Sequence, residues 1–534
     1  MGIFLLVILV YLVHIFIIST RSLHMLQQNR YNRGYRYIKW IIKNYRETLI
    51  NFSLLFFVFI FGSAINDFGY IIFLAIVLFV TFVFIDRRRK DSVKLPLKYT
   101  ARILRLIVTN MIIYIIPILI MLLFYEEKSS YICYLILGIM SYLNYFIVLL
   151  DNFINRPVEK MVNNYFRNKA IDKLNSMESM EVIGITGSYG KTSTKNILYD
   201  VLSVKYNIFK TPENYNTPYG LMISINNFLD KYNDYFIAEM GACKVGEIQE
   251  LCDLVHPKYG ILTKVGLAHL ETFGSEENIT KTKFELIESL PSDGIGILNG
   301  DDPKQVDHMI KNKCKILWIG IDNKKVDTYA YDIDLSYRGT KFRVKFKDLD
   351  NDYIFETKLL GKNNIYNILA SITLGHVLGI SIKDLQKAVK YIKPIEHRLS
   401  MKKMGDINII DDAYNSNPDG SKMALEVLHM MPGKKIIVTP GMIEIGEKED
   451  EVNKEFGREI AKTCDEVILI GENKTKPIYD GIIEEGFNKN NIHVLNDVME
   501  AFPLINKLKG KETYVLLEND LPDSFNEKKG LDIK

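Results

Sequence analysis

Cysteine is scarce in this chain, and the little there is lies scattered. The 534 residues include 5 cysteines, Cys133, Cys243, Cys252, Cys314 and Cys464, none of them in a CxxC pair. That pattern excludes a disulfide framework and a cysteine-built zinc site, and suits inert thiols in a reducing compartment. Net charge is also small, with 67 Lys and Arg against 64 Asp and Glu, a formal +3. No basic excess argues for nucleic acid as a partner. Hydrophobic residues make up 48% and charged residues 25%, ordinary for globular proteins, but the two are unevenly placed. Residues 1–150 are dominated by Leu, Ile, Phe, Val and Tyr, whereas residues 180–534 read as a soluble protein. The length exceeds what one core organises, so several domains are expected.

Five stretches approach the roughly 20 apolar residues that span a bilayer. They are Ile3–Ile18, Leu49–Ile65, Tyr70–Ile85, Leu106–Phe124 and Tyr131–Leu150. No small-residue cleavage site follows the first and further spans come after it, so it does not read as a signal peptide. The second and third are short and Gly62 interrupts one of them, which leaves four spans as the alternative to five. The loop after the first span carries Arg21, Arg30, Arg33, Arg36, Lys39, Lys43 and Arg46, and a later loop carries Arg87, Arg88, Arg89, Lys90, Lys94, Lys98 and Arg102. Basic loops stay in the cytoplasm. Five spans then put the N-terminus outside and everything after Leu150 in the cytoplasm, as a multi-pass protein of the cell membrane. Tyr31, Tyr35, Tyr37, Trp40 and Tyr45 interleave with the first basic loop. That mixture is also seen in RNA-binding segments, but here it reads as a juxtamembrane stretch on anionic lipid, with the bilayer as partner. His14 reads as a buried or interfacial histidine, and Asp151–Leu174 as a polar, partly amphipathic linker helix.

The soluble portion opens on a short apolar run, Glu181–Ile185, followed by Thr186, Gly187, Ser188, Tyr189, Gly190, Lys191, Thr192 and Ser193, and then by helical spacing over Thr194–Ser203. Strand, glycine loop and helix in that order is the context of a phosphate loop. Glycines let backbone N–H groups approach phosphate oxygens, and the helix N-terminus adds its dipole. Lys191 would reach the β- and γ-phosphates of ATP, and the Thr192 hydroxyl would hold Mg²⁺. The loop is compact, with Gly187 only three residues before Gly190. Alternating apolar runs and helical stretches imply a doubly wound α/β core. The polar and apolar alternation over Asp327–Leu360 reads as an antiparallel excursion, and further strands are predicted near Ile407–Asp411, Lys435–Thr439, Glu466–Ile470 and Tyr514–Leu517.

The loop TGSYGKTS resembles that of the Mur ligases, ATP-dependent enzymes that add amino acids or dipeptides to peptidoglycan precursors. Further blocks are similar in order: TPENYNTPYG (Thr211–Gly220), FIAEMGACKVGEI (Phe236–Ile248), AHLETFGS (Ala268–Ser275), TKTKFELIESLP (Thr280–Pro291), ILNGDD (Ile297–Asp302), GKNNIYNILA (Gly361–Ala370), EHRL (Glu396–Leu399), DDAYNSNPDG (Asp411–Gly420) and PGMIEIGEKE (Pro440–Glu449). Within the family the chain looks most like the MurF type, over about Glu181 to Ile470. The resemblance implies a P-loop central domain over 178–394 and a Rossmann-like C-terminal domain over 395–534. These would follow a membrane region over 1–150 and a linker over 151–177. It implies that ATP phosphorylates a carboxylate and that an amine attacks the acyl phosphate. Lys191, Glu239, His269 and Lys283 would be the catalytic set. Mg²⁺ would sit on Thr192, Glu239, His269 and, once carbamylated, Lys283. His is an unusual ligand for this hard cation, so that assignment rests on the resemblance. Gly187, Ser188, Tyr189, Gly190, Lys191, Thr192 and Ser193, with Asn299, Asn364, Arg398 and Asp412, would hold the nucleotide. Asn214, Asn216, Thr217, Tyr414, Asn415 and Asn417 would face substrate.

Three departures bear on the substrate. A membrane region stands where the MurF type has a soluble domain gripping the UDP-sugar. Asn363 replaces the usual histidine, and an acidic run from Glu518 to Asp523 follows the last strand where a basic loop is usual. A carboxylate acceptor held at the membrane surface, such as a lipid-linked cell-wall precursor, is therefore expected beside the small-molecule UDP-linked one. The alternatives are a polyglutamate or other envelope-polymer ligase of the same superfamily and, from another class, an ATP-driven transporter. Against transport, no span carries the run of charged residues that a polar path often needs.

Overall fold

The computed structural model describes residues 2–29, 31, 35–48, 74, 77, 96–123, 130–414, 417–443, 445 and 448–519. The expected spans Leu49–Ile65 and Tyr70–Ile85 lie outside these residues except for Leu74 and Val77, as do Asn415 and the acidic run beyond Asn519. The chain divides into two compact units, in the main Met1–Asn164 and Tyr165–Leu521.

In the first unit, helix Gly2–Gln28 has 27 residues and helix Ala101–Leu123 has 23. The stretches Ile8–Gln28 and Ala101–Leu123 are long and apolar enough to cross a membrane. The expected span Tyr131–Leu150 is instead a pair of helices, Ser130–Tyr142 and Asn144–Ile154, bent by 74° at Leu143. Asn144 explains the break. Its amide donates to Ser19 Oγ at 2.8 Å and Tyr114 OH at 2.9 Å, and its Oδ1 accepts from Ser22 Oγ at 2.7 Å. Three bonds to two other helices fix the residue where a straight helix would carry it past them. Of the three expected spans that fall on described residues, two are single helices of spanning length and the third is this bent pair. Helix Arg156–Asn175 follows, so Asp151–Ile154, read from sequence as the linker's start, are the last turn of the preceding helix.

This unit buries an apolar core that includes Tyr11, Ile15, Tyr114 and Leu106, yet it also exposes large apolar side chains and buries polar ones. Leu9, Val108 and Leu119 are more than half exposed, while Ser19, Ser22, Asn110, Asn144 and Asp151 are buried. His14 is buried too, with Nε2 3.0 Å from Ser141 Oγ.

The second unit contains two sheets. The first has nine strands, β1 (Glu181–Thr186), β2 (Ile208–Lys210), β3 (Tyr235–Glu239), β4 (Tyr259–Leu262), β5 (Ile295–Asn299), β6 (Lys315–Gly320), β7 (Thr328–Ser336), β8 (Gly339–Phe346) and β9 (Asp352–Thr357), in the order β2-β3-β1-β4-β5-β6-β7-β8-β9. Pairing is parallel as far as β7 and antiparallel from β7 to β9, so the excursion read from the alternation extends the same sheet. Successive residues of β1 serve opposite faces. Ile183 and Ile185 join a core with Ile197 and Leu198, and Val182 joins another with Phe236 and Leu286.

The second sheet has β10 (Ser400–Met404), β11 (Ile407–Asp412), β12 (Lys434–Thr439), β13 (Glu466–Ile470), β14 (Ile492–Leu495) and β15 (Thr513–Glu518), in the order β10-β11-β15-β12-β13-β14. Only β10 runs antiparallel to its neighbour. Asp412 pairs with Glu518 in register, which sets two acids side by side at the carboxyl ends of adjacent strands. Carboxyl ends of parallel strands are where such sheets carry ligands.

Candidate functional site

The loop after β1 needs its glycines. Gly187 has φ 150°, and a Cβ there would lie 2.0 Å from Thr263 Oγ1. Gly190 has φ 82° and stands at the N-cap of helix Lys191–Leu202. Between them, Ser188 N donates to Lys264 O at 2.7 Å and its hydroxyl to Gly266 O at 3.0 Å. The Tyr189 ring lies over Gly266, where a Cβ would come within 2.2 Å of it. Lys191 curls back over its own loop and donates from Nζ to Gly187 O at 2.7 Å and Ser188 O at 3.1 Å. Burial lowers its pKa, and Arg398 adds to that while Glu239 opposes it. The result is a concave backbone with a lysine and a helix N-terminus, the chemistry that receives an anion.

A carboxylate meets this helix. Glu239 ends β3, next to β1 in the sheet, with Ile185 paired to it. Its Oε1 accepts from Thr192 Oγ1 at 3.1 Å and Asn216 Nδ2 at 3.2 Å, and its Oε2 lies 2.9 Å from Lys195 Nζ. Burial opposes its ionisation most, but Lys195, Lys191 and Asn216 together outweigh burial and hold its carboxyl below the usual range. Lys283 is buried, with Nζ 3.4 Å from Ala242 O and 5.5 Å from the Phe273 ring centre. Burial foremost, with help from Lys191, brings its pKa down to about 7. His269 takes a left-handed backbone (φ 59°) at the head of the short helix Leu270–Phe273. Among the described residues no group of three or more His, Cys, Asp or Glu side chains is spaced to hold a metal. The set inferred from sequence relies on a hydroxyl and a modified lysine for the rest. Thr192 and Glu239 are hard oxygen donors already converging, which fits Mg²⁺.

A cavity of about 240 Å³ joins the loop to the second sheet, lined by Tyr189, Gly190 and Ser193 on one side and by Arg398, Asp412 and Tyr414 on the other. Asn299, Asn364 and Asn417 also line it. Asn299 Oδ1 accepts from Asp301 N at 3.0 Å, and Asn364 Nδ2 donates to Leu360 O at 2.8 Å. Arg398 donates from Nη1 to Tyr414 O at 3.0 Å and lies 4.4 Å over the Tyr414 ring. Burial raises Asp412 to about 6, against the opposing pull of Arg398 and the Leu399 amide, which donates to Oδ1 at 3.1 Å. Asn417 caps helix Pro418–His429, and Thr217 caps helix Pro218–Asn227. Both side chains thus hold backbone N–H groups. Asn214 is exposed on the same loop as Asn216.

Sequence reasoning missed three residues here. Lys195 lies just past the loop block TGSYGKTS, within the helical spacing over Thr194–Ser203, and was not singled out. Glu518 was seen as the start of an acidic run, whereas it is buried in the cavity wall and accepts from Ser421 Oγ at 2.7 Å. Asp419 pairs with Lys264 at 2.9 Å, a link no local pattern announces.

Residues 185–375 match the Mur ligase middle domain, and residues 397–518 match the family described as Mur ligase, glutamate ligase domain. The UDP-N-acetylmuramoyl-tripeptide–D-alanyl-D-alanine ligase of Bacillus subtilis (strain 168) is 33% identical over 283 residues, 52% of this chain and 60% of that protein. The chain thus spans less than two thirds of that relative's length. A MurF ligase structure from Thermotoga maritima in complex with ADP superposes with a TM-score of 0.60 at 29% identity, covering 67% of this chain and 80% of the other. A MurF structure from Acinetobacter baumannii shares the fold with a TM-score of 0.61 at 23% identity, covering 68% and 78%.

Proposed function

Through residues 185–375 and 397–518 the chain belongs to the Mur ligase family, and on that premise we propose that it is an ATP-dependent carboxylate–amine ligase. It acts through an acyl phosphate in peptidoglycan or cell-envelope precursor synthesis and adds D-alanyl-D-alanine or an amino acid in the MurF manner. The observation that carries this reading is the phosphate-loop geometry, with Thr192 meeting Glu239 at the carboxyl end of the parallel sheet and the loop's Tyr189, Gly190 and Ser193 sharing one cavity with Arg398 and Asp412.

Each group has a role that its position supports. Gly187–Ser193 form the phosphate loop, and Lys191 exchanges its loop carbonyls for phosphate oxygens. Charge accumulating on the transferred phosphoryl group needs cations around it, which Lys191 and Arg398 provide. Thr192 and Glu239, with His269 and Lys283, would hold Mg²⁺, which supplies further positive charge when bound. Lys283 is buried and near neutrality at physiological pH, so its amine can take up carbon dioxide and become a carbamate. Asp412 would accept from the ribose, with Asn299 and Asn364 along the nucleotide. Asn214, Asn216, Thr217, Tyr414, Asn415 and Asn417 would flank the acceptor and the amine.

Residues 1–150 we read as the membrane region and 151–177 as the linker, with a central domain over 178–394 and a C-terminal domain over 395–534 facing the cytoplasm. Two helices of spanning length and the exposed apolar side chains along them support this. The acceptor is then a carboxylate at the membrane surface, a lipid-linked precursor. Full-length protein in lipid nanodiscs is assayed for phosphate release with D-alanyl-D-alanine and either the UDP-linked or the lipid-linked muramoyl tripeptide. Release that needs both amine and carboxylate supports the ligase. Efficient turnover of the UDP-linked acceptor after deletion of the spans would sink the membrane acceptor.

A further inference from the structure

Lys195 sits one helical turn beyond Lys191, so the two lysines leave the same face of helix Lys191–Leu202. Their environments differ. Lys191 serves the loop, whereas Lys195 is 2% exposed and reaches two other segments. Its Nζ lies 2.9 Å from Glu239 Oε2 and donates to Glu213 O at 2.7 Å. Glu239 is also 2% exposed. Glu213 has a left-handed backbone (φ 38°), an unusual state for a non-glycine residue, in the loop that brings Asn216 to Glu239.

We propose that Lys195 is a positioning residue that fixes the Glu239 carboxylate in the one orientation usable by a nucleotide-borne divalent cation. The inference rests on the ligase reading and deepens it. A buried carboxylate has two oxygens and a free rotation about its last bond. Lys195 occupies Oε2 and so leaves Oε1 facing Thr192 and Asn216. The Lys195–Glu239 pair is also formally neutral. A neutral pair attracts a bare cation weakly, so the divalent ion has to arrive with phosphate oxygens that supply the missing negative charge. By the same bond network, the backbone at Glu213 holds Asn216 in reach of the carboxylate. Glu239 alone would offer charge without direction.

The test uses the full chain in nanodiscs and reads binding of ADP by calorimetry, with Mg²⁺ and with chelator, together with binding of Mn²⁺ alone. Wild type is expected to bind ADP more tightly with Mg²⁺ and to show no Mn²⁺ site in the absence of nucleotide. Lys195→Met is expected to leave ADP affinity in chelator within about twofold and to lose the Mg²⁺ enhancement by about 10- to 100-fold, the range for residues that orient metal ligands. If Lys195→Met does not fold, the Lys195→Met/Glu239→Gln pair, which leaves no unpaired buried charge, is compared with Glu239→Gln. Equal Mg²⁺ dependence in those two supports action through Glu239. A Lys195→Met protein that keeps the full enhancement, or a double variant markedly worse than Glu239→Gln, would overturn the proposal. Absence of any Mg²⁺ effect on wild type would instead overturn the ligase reading beneath it.

Discussion

The Thr192 hydroxyl donates to Glu239 Oε1 across 3.1 Å, which joins the first turn of a helix to the end of a neighbouring strand. Neither residue needs the other for its own backbone, so the contact is better explained by a shared ligand than by folding. Thr192→Val is therefore expected to lower ligation about 100-fold, typical of removing one group aimed at developing charge. Stability should change by about 1 kcal/mol or less, the net worth of one hydrogen bond. Steady-state kinetics with a parallel thermal melt separates the two. A melt that collapses along with the rate would show a structural role instead.

Gly187 supports a second expectation. Its φ of 150° and the Thr263 hydroxyl 2.0 Å from any Cβ leave no room for a side chain. Gly187→Ala should strain the loop by roughly 1–3 kcal/mol and abolish ADP binding while both sheets stay folded. Calorimetry with ADP checks this, and near-normal affinity would contradict the loop's assignment.

Asp412 gives a pH dependence with a definite sign. Burial lifts its pKa from 3.8 to about 6. An acid raised on folding favours the folded state in its protonated form, so its contribution to stability declines as pH rises from 3.8 to about 6. Ribose recognition has the opposite need, because the ionised carboxylate is the better acceptor. ADP affinity should therefore weaken as pH falls below about 6, and Asp412→Asn should flatten that slope. An unchanged slope in the variant would remove Asp412 from the nucleotide site.

Lys283 is buried beside Ala242 O and the Phe273 ring, with its pKa brought down to about 7. A neutral amine there can form a carbamate, and a carbamate is a carboxylate by shape and charge. Lys283→Ala should lose most activity and regain part of it in millimolar formate or acetate. Rescue by chloride at the same ionic strength would point to a salt effect instead.

Much of this arrangement was legible because the hydrophobic period changes sharply. The apolar run before Gly187 and the helical spacing after Lys191 mark β1 and its helix. The runs near Ile407, Lys435, Glu466 and Tyr514 form β11, β12, β13 and β15 within a residue of each predicted edge. What stayed hidden depends on contacts distant in sequence. Asp411 and Asp412 are neighbours, yet Asp411 turns to His397 and Lys402 while Asp412 enters the cavity, and only strand register separates them. The break at Leu143 follows from Asn144 meeting Ser19, Ser22 and Tyr114, which a hydropathy average over one segment cannot register. Lys195 gave no signal of its own in the sequence because its partners, Glu239 and Glu213, come from elsewhere in the chain. Asn417 and Thr217, expected from the resemblance to face substrate, cap helices in the structure, a role their residue types suit.

The most direct test of the central claim follows oxygen through the reaction. The muramoyl-tripeptide acceptor is prepared with heavy oxygen in its terminal carboxylate and incubated with full-length protein, ATP, Mg²⁺ and D-alanyl-D-alanine, and the released phosphate is analysed by mass spectrometry. An acyl-phosphate ligase leaves one carboxylate oxygen on each phosphate, so label should appear there in step with new amide. Phosphate released without label, or released at full rate without any amine, would contradict the account.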